Sequence, residues 1–549
     1  MSRQLFSIFQ SESRRRVCAG RMNSMWGLLL GAVTLICVLI FLMRLGPENR
    51  DSDQDRLIVF AAAGMRVPME EIARQYESEF GVTLEIQYNG SNTLLNQLQT
   101  DRFNEVDVYL AADDFYTTKA IELGLAMDTV PVAYQRPVIA VRRDSEQTIN
   151  SFEDLLRDGV RVAVANPDQA AVGKATRRQL SPLNIGGISC WDQLEQHVRQ
   201  SGVFKPTVND IATDVKLGNI DAAIVWNSTV AMPKYREDLV SISLPELNGS
   251  PDLISIAVLK SSTDLPSAYR FARYVSARDR GLETFSKYGT EAVDGDIWSD
   301  VPQVNFFCGA VNRRTTEQIV EEFQRQEGVV VNTIYDGCGI LTSRMQGIEG
   351  QSPDLGFPDV YMACDLHYLE NVKSWFQEAA NVSDVDLVIA VPKGSRKVGS
   401  LSDLLKPEIR VAVGEPSQCT IGALTRRLLQ TEGVYERFAE KQQNDDQVTV
   451  IEKSSSAHLV PDVVTGHVDA AIAYYSDVLP NLDAVDIIRI ESPVKMAIQP
   501  ISIAKTSEHK FLLRRLFRRI ENSPDSFESV GFGFRLGEAA TADIESVAP

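Results

Sequence analysis

Residues 57–290 return in outline at 303–536, and this internal repeat is the strongest constraint on the fold. A period so long excludes a solenoid and fits a duplicated domain. Gly81 and Val82 return as Gly328 and Val329, and Tyr88 and Gly90 as Tyr335 and Gly337. Asp107, Val108, Tyr109, Ala111 and Asp113 return as Asp359, Val360, Tyr361, Ala363 and Asp365. Arg161–Val164, Pro167, Gly173 and Thr176–Arg178 return as Arg410–Val413, Pro416, Gly422 and Thr425–Arg427, and Asp221–Ile224 as Asp469–Ile472. The matches keep their order, so one architecture has to serve both copies.

Each copy alternates short β-rich runs with amphipathic helical stretches, which predicts α/β domains with mostly parallel sheets. In the first copy strands are expected at 57–60, 83–88, 107–110, 137–142, 160–165, 222–226 and 254–259. After the apolar run Leu57–Phe60 come Ala61, Ala62, Ala63 and Gly64, small enough for backbone to approach a ligand. Met69, Ile72, Ala73, Tyr76 and Phe80 then recur at helical spacing. A second strand leads into a second small turn, Asn89–Asn92, that opens another helix. Two helix N-termini side by side make an anion site from backbone N–H groups; an ordinary pair of strand-to-helix turns is the plainer reading of that stretch alone. Asp113 reads as a helix cap, Arg66 as solvated, and Arg177 and Arg178 as surface or inter-lobe residues.

Ser24–Met43 is uncharged and long enough to cross a bilayer, and Arg14–Arg16 and Arg21 precede it. The positive-inside rule places the basic segment 1–23 in the cytoplasm and everything after Arg44 outside, beyond a tether at 44–56. The apolar run is long for a cleaved signal, and neither Cys18 nor Cys37 follows the small residue of a lipoprotein signal, so an uncleaved anchor is expected. A net charge of -19 argues against nucleic acid as a partner. Residues 291–302 read as a connector, and 537–549 as a disordered tail.

The segments VFAAAGM (59–65), YNGSNTLL (88–95), DVYLAAD (107–113), RVAVANPDQAAVG (161–173) and NDIATDVKLGNIDAAIVW (209–226), in that order, resemble the type II periplasmic solute-binding proteins, most closely those for molybdate and tungstate. The resemblance covers nearly all of both copies. It implies two α/β lobes per copy joined by two crossing segments, expected near Arg136–Val141 and Leu253–Ala257, with ligand in the cleft between them. It also implies an oxyanion gripped by hydroxyls, backbone N–H groups and helix N-termini without a cationic side chain. Carried over by position, the contacts fall at Gly64, where the family usually has Ser, at Ser91 with Asn92 beside it, at the backbone of Val172 and Ile211, and at Trp226 in place of Tyr.

In the second copy the same places carry different chemistry. Cys308 replaces Ala61, Cys338 replaces Ser91, Cys364 replaces Ala112 and Cys419 replaces Ala170. His458 adjoins the Ile211 counterpart Leu459, and Tyr474 replaces Trp226. Three readings stand: a disulfide, with Cys308–Cys338 as the expected pair on adjacent turns of one lobe; a soft-metal site among Cys338, Cys364, His367 and Cys419; or a thiol nucleophile at Cys364 beside His367. Taken together, the sequence predicts a non-enzymatic receptor without cofactors. It would be tethered to the outer face of the inner membrane, take a small oxyanion, and hand it to an ABC permease and its ATPase. A ligand sensor is the rival from another class.

Overall fold

The computed structural model describes residues 56–100, 105–145, 149–443 and 448–536. The expected membrane helix 24–43, nearly all of the tether and the tail 537–549 lie outside them. Among the described residues no helix is long and apolar enough to cross a membrane. From Leu57 onward the chain forms one compact unit.

In the first segment, strands Arg56–Ala62, Thr83–Asn89, Val108–Ala111, Ala126–Gln135, Asp252–Leu259 and Glu291–Ala292 form a six-stranded sheet, the core of lobe one. Strands Pro137–Arg142, Val162–Ala165, Val203–Lys205, Ala222–Trp226 and Leu239–Ile242 form the five-stranded sheet of lobe two. The sheets are mixed rather than mostly parallel. Val59–Ala61 pairs in parallel with Val108–Leu110, but Asp252–Leu259 and Pro137–Arg142 run antiparallel to their neighbours. Each of these two strands directly follows a crossing between the lobes. The first crossing falls at Arg136, between the last strand residue of one sheet and the first of the other. The second falls at 243–251, earlier than the expected Leu253–Ala257, because Asp252 already belongs to the lobe-one strand.

The second segment follows the same order with one change. Its strand Phe376–Pro392 runs unbroken for 17 residues through both lobes, pairing with Met496–Ala504 at one end and Ala470–Tyr474 at the other. Its sheets therefore join into one of ten strands. The difference rests on one residue. Pro137, opposite Trp226, has no N–H to offer a ladder; Leu387, opposite Tyr474, donates its N–H to Lys495 O at 2.7 Å.

The two segments meet through their first lobes. Glu327, the last residue of helix Arg313–Glu327, is fully buried. Its carboxylate accepts from Arg515 Nε and Nη2 at 2.6 and 2.9 Å and from Arg273 Nη1 at 3.3 Å. Beside this triad Arg519 and Tyr269 both donate to Asp128 Oδ2, and Asp296 accepts the first free N–H groups of helix Lys510–Glu521 from Phe511 and Leu512.

Candidate functional site

In the first segment the starts of four helices converge between the lobes: Arg66–Phe80, reached through the turn Ala63–Met65, then Ser91–Leu98, Ala171–Leu180 and Val208–Leu217. Each start leaves N–H groups without intrahelical partners. Together they bound a cavity of about 20 Å³ whose lining includes Gly64, Gly90, Ser91, Val172, Thr207 and Trp226 and, among the described residues, contains no charged side chain. The lobes close over it tightly. Asn92 Nδ2 donates to Asp168 O at 2.5 Å, and Asn209 Nδ2 to Ala63 O at 2.7 Å. A Cβ on Gly90 would lie 2.4 Å from Gln169 O of the opposite lobe. Ser91 is buried; its Oγ accepts from Ala112 N at 3.2 Å, and its carbonyl accepts from Tyr109 OH at 2.7 Å.

Of the expected contacts, Gly64, Ser91, Val172 and Trp226 line this cavity. Asn92 stands at its edge as a bridge between lobes. Ile211 lies one helical turn deeper, in the core, and the residues at the cavity are Thr207 and Val208. The conformations at the helix start decide this: Thr207 is the N-cap, so the free N–H groups belong to residues just after it.

Around the cleft rim a charged cluster ties the lobes. Arg178 of lobe two donates to Asp252 at 2.5 Å and lies 3.7 Å from Asp113, both carboxylates of lobe one and both buried. Asp113 also caps its helix, accepting from Phe115 N. Burial, and after it the Asp113 charge, push Asp252 up to about 6 against the pull of Arg178. Burial likewise lowers Lys174, packed on the Phe115 ring, to about 8.

The second cleft differs at each of these points. The disulfide joins Cys338 to Cys364, not to Cys308 as the adjacent turns suggested. Alternation along a strand explains the correction. Cys308 turns to the sheet face covered by helix Arg313–Glu327, where its thiol lies 3.8 Å from Thr316 Oγ1. Cys338 and Cys364 pack with Phe307, Tyr361 and Phe376 in a separate core. The bridge stands where Ser91 Oγ meets Ala112 N in the first segment, and Gly309, in place of Ala62, leaves room for it: a Cβ there would lie 2.3 Å from Cys364 Sγ. The disulfide takes Cys338 and Cys364 out of any metal set. His367 and His458 are exposed, and no cluster of three or more metal-ligating side chains occurs among the described residues. Neither free thiol of this segment suits a nucleophile. Burial pushes Cys308 up to about 12 and raises Cys419, whose Sγ sits 3.5 Å from Lys453 O.

Several of the residues that hold the first pair of lobes together are replaced as well. Gly339 replaces Asn92, Ala457 replaces Asn209, Ala423 replaces Lys174, and Ala497 stands where Asp252 does in its strand. The cavity is correspondingly larger, about 270 Å³, and is lined by Tyr335, Asp336, Cys364, Cys419, Thr420 and Tyr474 among others. Asp336 replaces Asn89 and was not anticipated as a site residue, although the substitution was visible inside the repeated Tyr-x-Gly motif.

Comparison with known proteins bears on this architecture directly. Residues 57–291 and 304–521 match the family described as bacterial extracellular solute-binding protein. The chain belongs to that family. The solute-binding protein is 27% identical over 235 residues to the molybdate-binding protein ModA of Mycobacterium tuberculosis, covering 42% of this chain and 83% of that one. It is 26% identical over 154 residues to ModA of Escherichia coli, covering 27% and 57%. Among solved structures, the periplasmic molybdate-binding protein of Azotobacter vinelandii aligns at 18% identity and a TM-score of 0.36, over 43% of the solute-binding protein and 98% of its own chain.

Proposed function

We propose that the first segment is a receptor for a fully ionised tetrahedral oxyanion, molybdate or tungstate, and that the chain serves an ABC importer from a membrane tether. One observation carries the reading: the first cleft offers helix-start N–H groups and the Ser91 hydroxyl and, among the described residues, no charged side chain. Such a lining consists mainly of donors. It stabilises a dianion through oriented dipoles and offers no carboxylate to accept the proton of hydrogen phosphate. The molybdate-binding relatives support the same ligand class.

Calorimetric titration of the full chain with molybdate, tungstate, sulfate and phosphate tests this. Molybdate or tungstate is expected to bind at one site per chain, phosphate not at all, and Ser91→Ala to weaken binding about ten-fold. Absence of heat with every dianion would end the oxyanion reading. The tether is tested separately: the chain should sediment with membranes, and deletion of 24–43 should release it.

A further inference from the structure

We propose that the second cleft binds a neutral polyhydroxylated molecule, a monosaccharide or sugar alcohol, and not an oxyanion. The proposal rests on the chain being a solute receptor, but not on what the first cleft binds.

Size comes first. The second cavity holds about 270 Å³ and the first about 20 Å³, so the second has room for a ligand larger than a tetrahedral oxyanion. Charge comes second. Among the described residues, Asp336 is the only charged side chain lining the second cavity. Its Oδ1 accepts from Gly337 N at 2.7 Å, and no partner holds Oδ2 among the described residues. That carboxylate opposes an anion. The starts of helices Cys338–Gly347 and Thr420–Thr431, both facing the cavity, oppose a cation. A molecule accepted by both fields carries no net charge and both donates and accepts hydrogen bonds, as an alcohol does without separated charges of its own.

An independent observation points to a hydrogen-bonding ligand at this wall. Tyr474 lines the cavity at 2% exposure, and its OH has no hydrogen-bond partner among the described residues. A buried hydroxyl left unpaired is uncommon, and a ligand oxygen would satisfy it. Trp226 fills the equivalent place in the first cleft with a ring instead. The disulfide acts in the same direction, because it removes the Ser91-type hydroxyl that would hold an oxyanion. Tyr335 and the exposed Ile340 supply apolar surface for the C–H face of a sugar ring.

The test titrates the full chain with D-glucose, D-ribose, myo-inositol and mannitol, with molybdate and sulfate in parallel, for the wild type and for Asp336→Asn and Tyr474→Phe. At least one polyol should bind at one site per chain, additively with any oxyanion. Each substitution should weaken that polyol about ten-fold or more while leaving oxyanion binding and the circular dichroism spectrum unchanged. The proposal fails if no polyol in the panel binds below about 10 mM, if polyol binding survives both substitutions, or if the wild type takes a second molybdate that Asp336→Asn strengthens. Loss of oxyanion binding alone would count against the first cleft and leave this site standing.

Discussion

Gly90 is the residue on which closure of the first cleft turns. Its φ of -61° is open to any L-residue, so the backbone does not require glycine there. The requirement comes from Gln169 O, 2.4 Å from where a Cβ would sit. Gly90→Ala should therefore fold normally but hold the lobes apart. The expected result is an unchanged melting temperature and oxyanion affinity reduced at least about ten-fold, measured by calorimetry alongside differential scanning. Asp252 predicts a pH effect. Its folded pKa of about 6 lies above the unfolded value of about 3.9. The protonated form is thus favoured by folding, and its contribution is complete below the unfolded value and lost as pH rises through 6. Relative to Asp252→Asn, the wild type should lose about 2–3 kcal/mol of stability between pH 4 and pH 7, read from denaturant melts at each pH. Sequence reasoning reached Ser91 and Gly64 because hydroxyl and small-residue turns leave a local pattern. It missed the pairing of Arg178 with Asp252, 74 residues apart, because nothing local links them.

At the scale of the element, two devices set how stiff each segment is. Pro137 interrupts the first crossing and Leu387 lets the second run through as one ladder. Leu387→Pro should break the bond to Lys495 O and make the second segment's hinge resemble the first, visible as faster amide exchange confined to residues near 385–390. The disulfide closes a separation of 26 residues between a helix start and a strand end. The double variant Cys338→Ser, Cys364→Ala recreates the Ser91 and Ala112 pair and should cost about 3 kcal/mol of stability. Peptide mapping without reduction should recover Cys338 linked to Cys364, with Cys308 alkylated only after denaturation. Most strands of the first segment were legible as β-rich runs, including 137–142 and 222–226. The strand Ala126–Gln135 was not, because Asp128, Pro131 and Gln135 blur its apolar pattern. Which thiols pair was beyond the sequence for a similar reason: neighbouring turns share an edge of the sheet, but residue parity decides the face.

At the scale of the whole molecule, the Arg273–Glu327–Arg515 triad fastens one segment to the other. Two guanidinium groups share one buried carboxylate, so removal of the centre strands both cations. Glu327→Ala should cost about 3–5 kcal/mol and split a single calorimetric transition into two, one per segment. A single unshifted transition would show that the triad does not fasten the pair. The sequence held one sign of this contact: Glu327 occupies the position of Phe80, where the other copy keeps the apolar face of its helix. A repeat pattern reveals what each copy folds into but not which faces they turn to one another. Joined in this way, the two clefts are made in a ratio of one to one in every molecule synthesised. Expression level cannot adjust one against the other, so the relative strength of the two clefts can change only through substitutions in the clefts themselves.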